Sequence, residues 1–451
     1  TPFEPCYRHG VGRNGESCLV WQRSPVASVA SFARATGSRF LGALQYKDYR
    51  TMWYATMAAG AAAWALIVAR GVLAYDLSKS SLLVGLVTFS AMAPQMLVPF
   101  FAGYLADRMD RRRLLAWSFG VNVAQNAVLA ALAFSGHIQA WHVVALSLVN
   151  GVARAVQMPT SQSLVPNLVP REKLLNAVAL NTATVQGSRL VGPMLVAPLL
   201  ATVGIGWSFL LCGALYGYGL VMCQRIQTPS TGVIDRSRGA VANFFAGFSY
   251  IYSQPMLLSV VLIAVLHCAL TMSFESMLPQ LAKERLDMGQ EGFAFLMMAD
   301  GVGALVIVVA LAGIQSEKTR GQLLLWLGIV SGLALVALAM AGNLAGAWTS
   351  MFFLGASQAG FMTLTQVLVQ YLVPDALRGR ANGIYTFHVG SMMAIFNLVY
   401  GGLASAWGLQ VVLATAGVAF VAVMGLSLLR APLRSLYAAG LRQELQPQVS
   451  A

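Results

Sequence analysis

The chain has 451 residues, 57% of them hydrophobic and only 10% charged. Soluble globular chains carry about 25% charged residues, so a water-soluble fold is excluded and an integral membrane protein is expected. Its 29 Lys and Arg against 16 Asp and Glu give a formal net charge of +13. The basic residues recur in step with apolar runs instead of forming one patch. Nucleic-acid binding is therefore not expected, and positive-inside topology with attraction to anionic lipid accounts for the charge.

The first 45 or so residues are rich in Ser, Ala, Arg and Gly and contain no apolar core long enough for a signal peptide. A cytoplasmic, largely disordered tail is expected over 1–45. Cys6 and Cys18 fall in it, where a reducing compartment argues against a disulfide. With His9 they lack the fourth ligand and the spacing of a metal site. Cys212, Cys223 and Cys268 lie in apolar runs and read as small hydrophobes.

Twelve apolar runs follow, at about 52–76, 81–106, 114–136, 142–165, 175–201, 204–224, 256–279, 292–314, 322–342, 346–371, 381–405 and 409–429. Each approximates the ~20 residues of a membrane-crossing helix, and none alternates like a barrel strand. Seven Lys and Arg lie in the tail up to Arg50, and sixteen more in the even-numbered loops and the C-terminal tail. Among the latter are Arg171, Lys173, Arg236, Arg238, Lys318, Arg320, Arg378, Arg380, Arg430 and Arg434; only Lys79, Lys283 and Arg285 occupy odd-numbered loops. This asymmetry predicts that both termini face the cytoplasm.

The turn between the second and third runs concentrates Asp107, Arg108, Asp110, Arg111, Arg112 and Arg113 between two almost charge-free stretches. Gly103 at a helix end lets two helices approach, and Asp107 can cap a helix or pair with a nearby Arg. Such charges either stop two helices at the interface or form a breakable gate.

An internal repeat organises the runs. Shifted by 204 residues, Gly151, Ala155, Met158, Gln162, Leu164, Val165, Leu168, Val169 and Pro170 match Gly355, Ala359, Met362, Gln366, Leu368, Val369, Leu372, Val373 and Pro374. A weaker echo at an offset of 210 sets Gly103, Asp107 and Arg108 against Gly313, Glu317 and Lys318. Two pseudo-repeated six-helix bundles are expected, 46–225 and 256–430. Between them lies a cytoplasmic linker with an amphipathic helix at 226–255, and a cytoplasmic tail follows at 431–451.

The turn Gly103-x-Leu105-Ala106-Asp107-Arg108-x-x-Arg111-Arg112 resembles the signature loop of the major facilitator superfamily, with Asp110 in place of the usual second glycine. Leu168–Glu172 with Asn176–Asn181, Ser188–Pro193, and Leu278–Pro279 followed by Gly301–Leu305 are similar to the enterobactin exporter-like and macrolide-efflux-like branch. The resemblance covers about 45–430. It implies the two-bundle fold, alternating access, and gating by Gly103, Asp107, Arg108, Arg111 and Arg112. It also implies Arg189 as a partner of that loop. Gly187 with Gly192 and Pro193 resembles the antiporter signature of exporters, although small residues also serve simple close packing. Ser147 stands where the superfamily usually carries an arginine.

Ionisable residues inside spans are costly and face a cavity or a partner. Here they are Arg70, Arg154, Arg189, Glu275 and Asp300, with His267 and His388. Arg70 can snorkel to the interface or bind an anionic substrate. Arg154 falls where the cavity is expected. His267, Thr271 and Glu275 recur every four residues and so are expected on one helix face; Glu275 is either a proton carrier or a solvated carboxylate near the outer mouth. Asp300 is a candidate proton carrier or the partner of Arg154 or Arg189. Asn150, Gln358, Thr363 and Gln366 are cavity hydrogen-bonders or helix-to-helix glue.

No phosphate-binding Gly-x-x-x-x-Gly-Lys loop and no metal-spaced cluster is present in the sequence, so neither an enzyme, a cofactor nor a metal is expected. The expected activity is proton-coupled export of a hydrophobic or amphiphilic small molecule, a siderophore or drug, by a monomer in the bacterial inner membrane. An importer of a metabolite or siderophore on the same fold and a non-transporting membrane sensor or scaffold are the alternatives.

Overall fold

The computed structural model describes residues 41–98, 109–228, 248–314 and 316–440. After a 3-10 turn (Leu41–Gln45) come α1 (Lys47–Ser78), α2 (Ser81–Met92, continuing helically to Val98), α3 (Arg111–Ser135), α4 (Ala140–Leu168), α5 (Arg171–Thr202) and α6 (Ile205–Gln224). The second set is α7 (Pro255–Arg285), α8 (Gly292–Ala312), α9 (Glu317–Met340), α10 (Leu344–Leu372), α11 (Asp375–Trp407) and α12 (Leu409–Ser427), followed by the short α13 (Ala431–Ala439).

Among the described residues, ten helices are long and apolar enough to cross a membrane. α4 and α5 fall outside that set. They carry Arg154 and Arg189 and several further polar residues, which lower their hydropathy without shortening them.

Small residues set the packing of α1. Ala55, Ala59, Ala62, Ala65 and Ala69 are fully buried at three- and four-residue spacing, which lets α5 and α6 lie close along one stripe. Trp53 Nε1 donates to Thr184 Oγ1 (2.7 Å) and Tyr49 Oη to the Ala177 carbonyl (2.8 Å), tying α1 to α5. α3 packs on α4 and α6, α8 and α9 on α10, and α9 on α12. The two sets meet mainly where α2 crosses α11 and α5 crosses α8.

The 204-residue repeat is visible in the helices themselves. α4 and α10 begin and end at repeat-equivalent residues, and each is followed by a proline, Pro170 or Pro374, that caps the next helix in extended conformation. The matched glycines do matched work. A Cβ on Gly151 would collide with the Ala91 carbonyl of α2 (2.6 Å), and one on Gly355 would collide with the Asp300 backbone of α8.

Three segments add detail to the expected layout. Residues 431–440 of the C-terminal tail are helical in part: α13 buries Leu433, Leu436 and Tyr437, and Tyr437 hydrogen-bonds Ser427 (3.0 Å). Leu41–Gln45 packs against α5; residues 1–40 and 229–247, which hold most of the expected tail and linker, lie outside the described residues. At the linker's start, Thr228 is anchored by Asp48, whose Oδ2 accepts from its amide (2.8 Å) and hydroxyl (2.5 Å).

The third is α7, which is not one regular helix. A regular segment ends at His267, a π turn spans Cys268–Met272, a 3-10 turn spans Glu275–Met277 and a second π turn spans Leu281–Arg285. Pro279 has no N–H for the Glu275 carbonyl and its ring crowds that carbonyl. A π turn also inserts an extra residue and rotates everything beyond it by roughly 100°.

Candidate functional site

Arg70, Arg154 and Glu275 come together. With Ile67, Val87 and Thr88 they line a narrow cleft of about 30 Å³, partly open to solvent, between α1, α2, α4 and α7. Arg70 does not snorkel: it is 3% exposed, with Nη2 donating to Asn150 Oδ1 (2.8 Å) and Nε to the Leu66 carbonyl (3.3 Å). Asn150 Nδ2 donates in turn to Asn122 Oδ1 (2.5 Å), so a buried polar chain links α1, α4 and α3. Asn122 is a member that sequence reasoning missed. The signal was an Asn122–Asn126 pair one turn apart in an otherwise apolar run.

Glu275 is 5% exposed and its Oε2 has no hydrogen-bond partner. It is therefore not a solvated carboxylate at the mouth. The expected common face of His267, Thr271 and Glu275 does not form, because the π turn separates them in angle. His267 points away from the cleft into the α9–α10–α12 core, bonded to Ser331 (3.1 Å) and stacked on Phe361 (4.4 Å between ring centroids). Thr271 Oγ1 donates back to the His267 carbonyl, and the Thr271 carbonyl accepts from Gln358 Nε2 (2.6 Å).

Asp300 and Arg189 form a buried ion pair across the two helix sets, Nη2 to Oδ2 2.6 Å. Of the two partners expected for Asp300, Arg189 is the one engaged. The same guanidinium lies over the Trp64 ring, 5.0 Å from its centroid, where the π face favours a cation. The side chain of Arg189 is thus held by α8 and α1; residues 99–108 of the charged turn with which the resemblance paired it lie outside the described residues. Gly301 allows the approach, since a Cβ there would strike Leu190 N of α5 (2.7 Å). Gly192 does the same for α5 on α1, facing the Ala61 carbonyl (2.7 Å). Pro193 leaves the Arg189 carbonyl without its helical donor.

Polar contacts join the ends of α1 and α7 like a latch. Tyr75 Oη bonds Glu284, Lys283 bonds Asp76, Gln290 Nε2 donates to Asp76 Oδ2 (2.9 Å), and Ser81 Oγ donates to Gln280 (2.7 Å). Behind it α2 and α11 touch backbone to backbone at Gly85 and Gly401. The sequence reading used Lys79 and Lys283 only as loop charges and missed the latch. Acid on the end of the first run and base on the end of the seventh was the available signal.

Of the gate candidates, Gly103, Asp107 and Arg108 lie outside the described residues. Arg111 Nη1 donates to the Ser163 carbonyl of α4 (2.9 Å), and Arg112 Nη1 to the Ile226 and Gln227 carbonyls (2.9 Å each). Asp110 caps α3, accepting from the Arg112 amide (2.9 Å) and pairing with its guanidinium (2.6 Å). His388 is remote from the cleft, bonded to Tyr252 (3.1 Å) and the Ile384 carbonyl (2.8 Å). Thr363 bonds its own helix at Ala359 (2.7 Å), and Gln366 is exposed.

The model of the family described as "transmembrane secretion effector" matches residues 39–449. This chain belongs to that family of the major facilitator superfamily. It is a multi-pass inner-membrane transporter of the secondary type. The chain is 25% identical over 347 residues to the enterobactin exporter EntS of Shigella boydii serotype 4, covering 73% of this chain and 78% of that one. It is 20% identical over 342 residues to the staphyloferrin A transporter of Staphylococcus aureus, covering 75% and 85%. Its fold matches a POT family transporter in complex with a thioalcohol-conjugated peptide (TM-score 0.69, 12% identity, 85% of this chain and 96% of that one). It also matches the nucleoside transporter NupG (TM-score 0.68, 12% identity, 84% and 99%).

Proposed function

We propose that this protein exports an amphiphilic small molecule of the siderophore or drug class by proton-coupled alternating access. In this reading twelve helices cross the membrane as two bundles, 46–225 and 256–430, with both termini in the cytoplasm. The observation that carries it is the cleft at Arg70, Arg154 and Glu275 between α1, α2, α4 and α7; in this reading the Tyr75–Glu284 and Asp76–Lys283 contacts shut one end of it. The loop-charge asymmetry assigns that closed end to the periplasm, so the cleft belongs to a state facing inward or occluded.

The names of the relatives support siderophore-like cargo, and the family description supports the outward direction. Asp300 and Glu275 are the proton-carrier candidates, both buried carboxylates close to the bundle interface. A proton on Asp300 removes the charge that holds Arg189, which loosens α5 from α8 beside the break at Pro193. The charged turn from Gly103 to Arg112 is the counterpart gate at the cytoplasmic end.

Deletion of the gene in its host is expected to make at least one small metabolite accumulate in the cytoplasm and fall in the medium. A protonophore should reproduce the effect in the undeleted strain. Depletion inside the deleted strain would instead indicate import, and no change in either compartment would favour a non-transporting sensor. Asp300→Asn should retain the metabolite as the deletion does; proton-coupled export persisting in that variant would remove Asp300 from the proton path.

A further inference from the structure

The charges inside the described spans do not cancel. Arg70, Arg154 and Arg189 stand against Glu275 and Asp300, and Arg189 with Asp300 form a closed pair. That leaves two arginines and one carboxylate around the cleft. Arg70 has no carboxylate partner, and its Nη1 has no hydrogen-bond partner although the residue is 3% exposed. Arg154 makes no hydrogen bond or ion pair among the described residues and is half-buried on the cleft wall. A guanidinium does not shed its proton to escape this environment. A desolvated cation without a counter-charge is costly, so the cleft is built to be completed by an anion.

We infer that the cargo is an acidic amphiphile, docked through carboxylate or similar anionic groups on Arg70 and Arg154; this rests on the reading of the cleft as the transport site. Asn150 and Asn122 hold the Arg70 fork through its Nη2, leaving Nη1 for the ligand. The apolar part of the cargo lies against Ile67, Val87 and Met92. Glu275 serves as the partial counter-charge of the empty carrier and is displaced in function by the cargo's own acid. Two arginines select a ligand with two acidic groups, or one bidentate group shared between them. An anion also leaves an inside-negative cell along the electrical gradient, which favours the outward direction.

The test uses full-length protein in phosphatidylcholine nanodiscs and three probes of one shape: a naphthalene dicarboxylate, its dimethyl ester, and the corresponding bis-ammonium compound. Calorimetry should find the dicarboxylate bound tightest. Arg70→Gln and Arg154→Gln should each weaken it roughly ten- to a hundredfold, as expected for a lost charge-assisted hydrogen bond, while leaving the ester's affinity unchanged. Arg154→Gln carries the test if loss of the Asn150 bond unfolds the Arg70 variant. Absence of dicarboxylate binding, equal binding of the ester, tightest binding of the bis-ammonium compound, or arginine-independent affinity would each overturn the inference. Displacement of the probe by phosphatidylglycerol would assign the site to a lipid headgroup and overturn the cargo role. Export of a neutral or cationic metabolite in the deletion assay would sink the inference while sparing the export reading. Arginine-dependent dicarboxylate binding without any exported metabolite would do the reverse.

Discussion

The pair Arg189–Asp300 joins α5 to α8 through one buried contact. Both side chains are almost fully buried, and Asp300 Oδ1 and Arg189 Nε have no partners beyond the pair. Removing one member of such a pair strands the other charge, at a cost of about 3–5 kcal/mol, whereas replacing both by apolar groups of similar size is near neutral. Arg189→Met is therefore expected to lower the unfolding temperature in detergent more than the double variant Arg189→Met/Asp300→Leu. A double variant less stable than the single one would show that the pair is a net stabiliser. Arg70 differs: its neutral hydrogen bonds leave it charged and incompletely satisfied, which is the property expected of a residue waiting for a ligand.

At the scale of elements, helix starts and glycine contacts decide the geometry. Asp110 is held below the usual aspartate range, first by the hydrogen bond from the Arg112 side chain and also by the Arg112 amide at the start of α3. A depressed folded-state value means its stabilisation is fully present above the unfolded pKa, about 3.9, and is lost as pH falls through the lower folded value. Asp110→Ala should cost about 0.5–2 kcal/mol near neutrality, and the difference from the parent should shrink in acid melts; a gap unchanged down to pH about 2 would contradict the cap. Gly355 faces the Asp300 backbone, which cannot yield as a side chain would. Gly355→Val is expected to abolish the monodisperse folded protein in size-exclusion chromatography, while a valine at the exposed, uncrowded Gly425 leaves it intact. Normal elution of Gly355→Val would refute the close α8–α10 packing.

For the whole molecule, most of the helix order was legible in the sequence because hydropathy and the 204-residue repeat report the same thing: long apolar segments duplicated in tandem. The repeat set the register of α4 against α10, while their ends lie one to three residues beyond the expected 142–165 and 346–371. What was not legible came from departures from regular geometry. Four-residue spacing put His267 and Glu275 on one face, but the π turn at Cys268–Met272, upstream of Pro279, sent one into a core and the other into the cleft. Partners distant in sequence were also invisible. Nothing local linked Arg70 to Asn150, or Asp76 to Lys283, until the helices were brought together.

The central claim is that cargo crosses by opening the end of the cleft now latched by α1 and α7. The most direct measurement is release of the retained metabolite from preloaded cells carrying Asp76→Cys/Lys283→Cys, with the two thiols joined by a short reversible bifunctional reagent. The account predicts that release stops on cross-linking and returns on reduction, while each single cysteine variant treated alike keeps releasing. Release that continues at the parent rate through the cross-linked protein would contradict it.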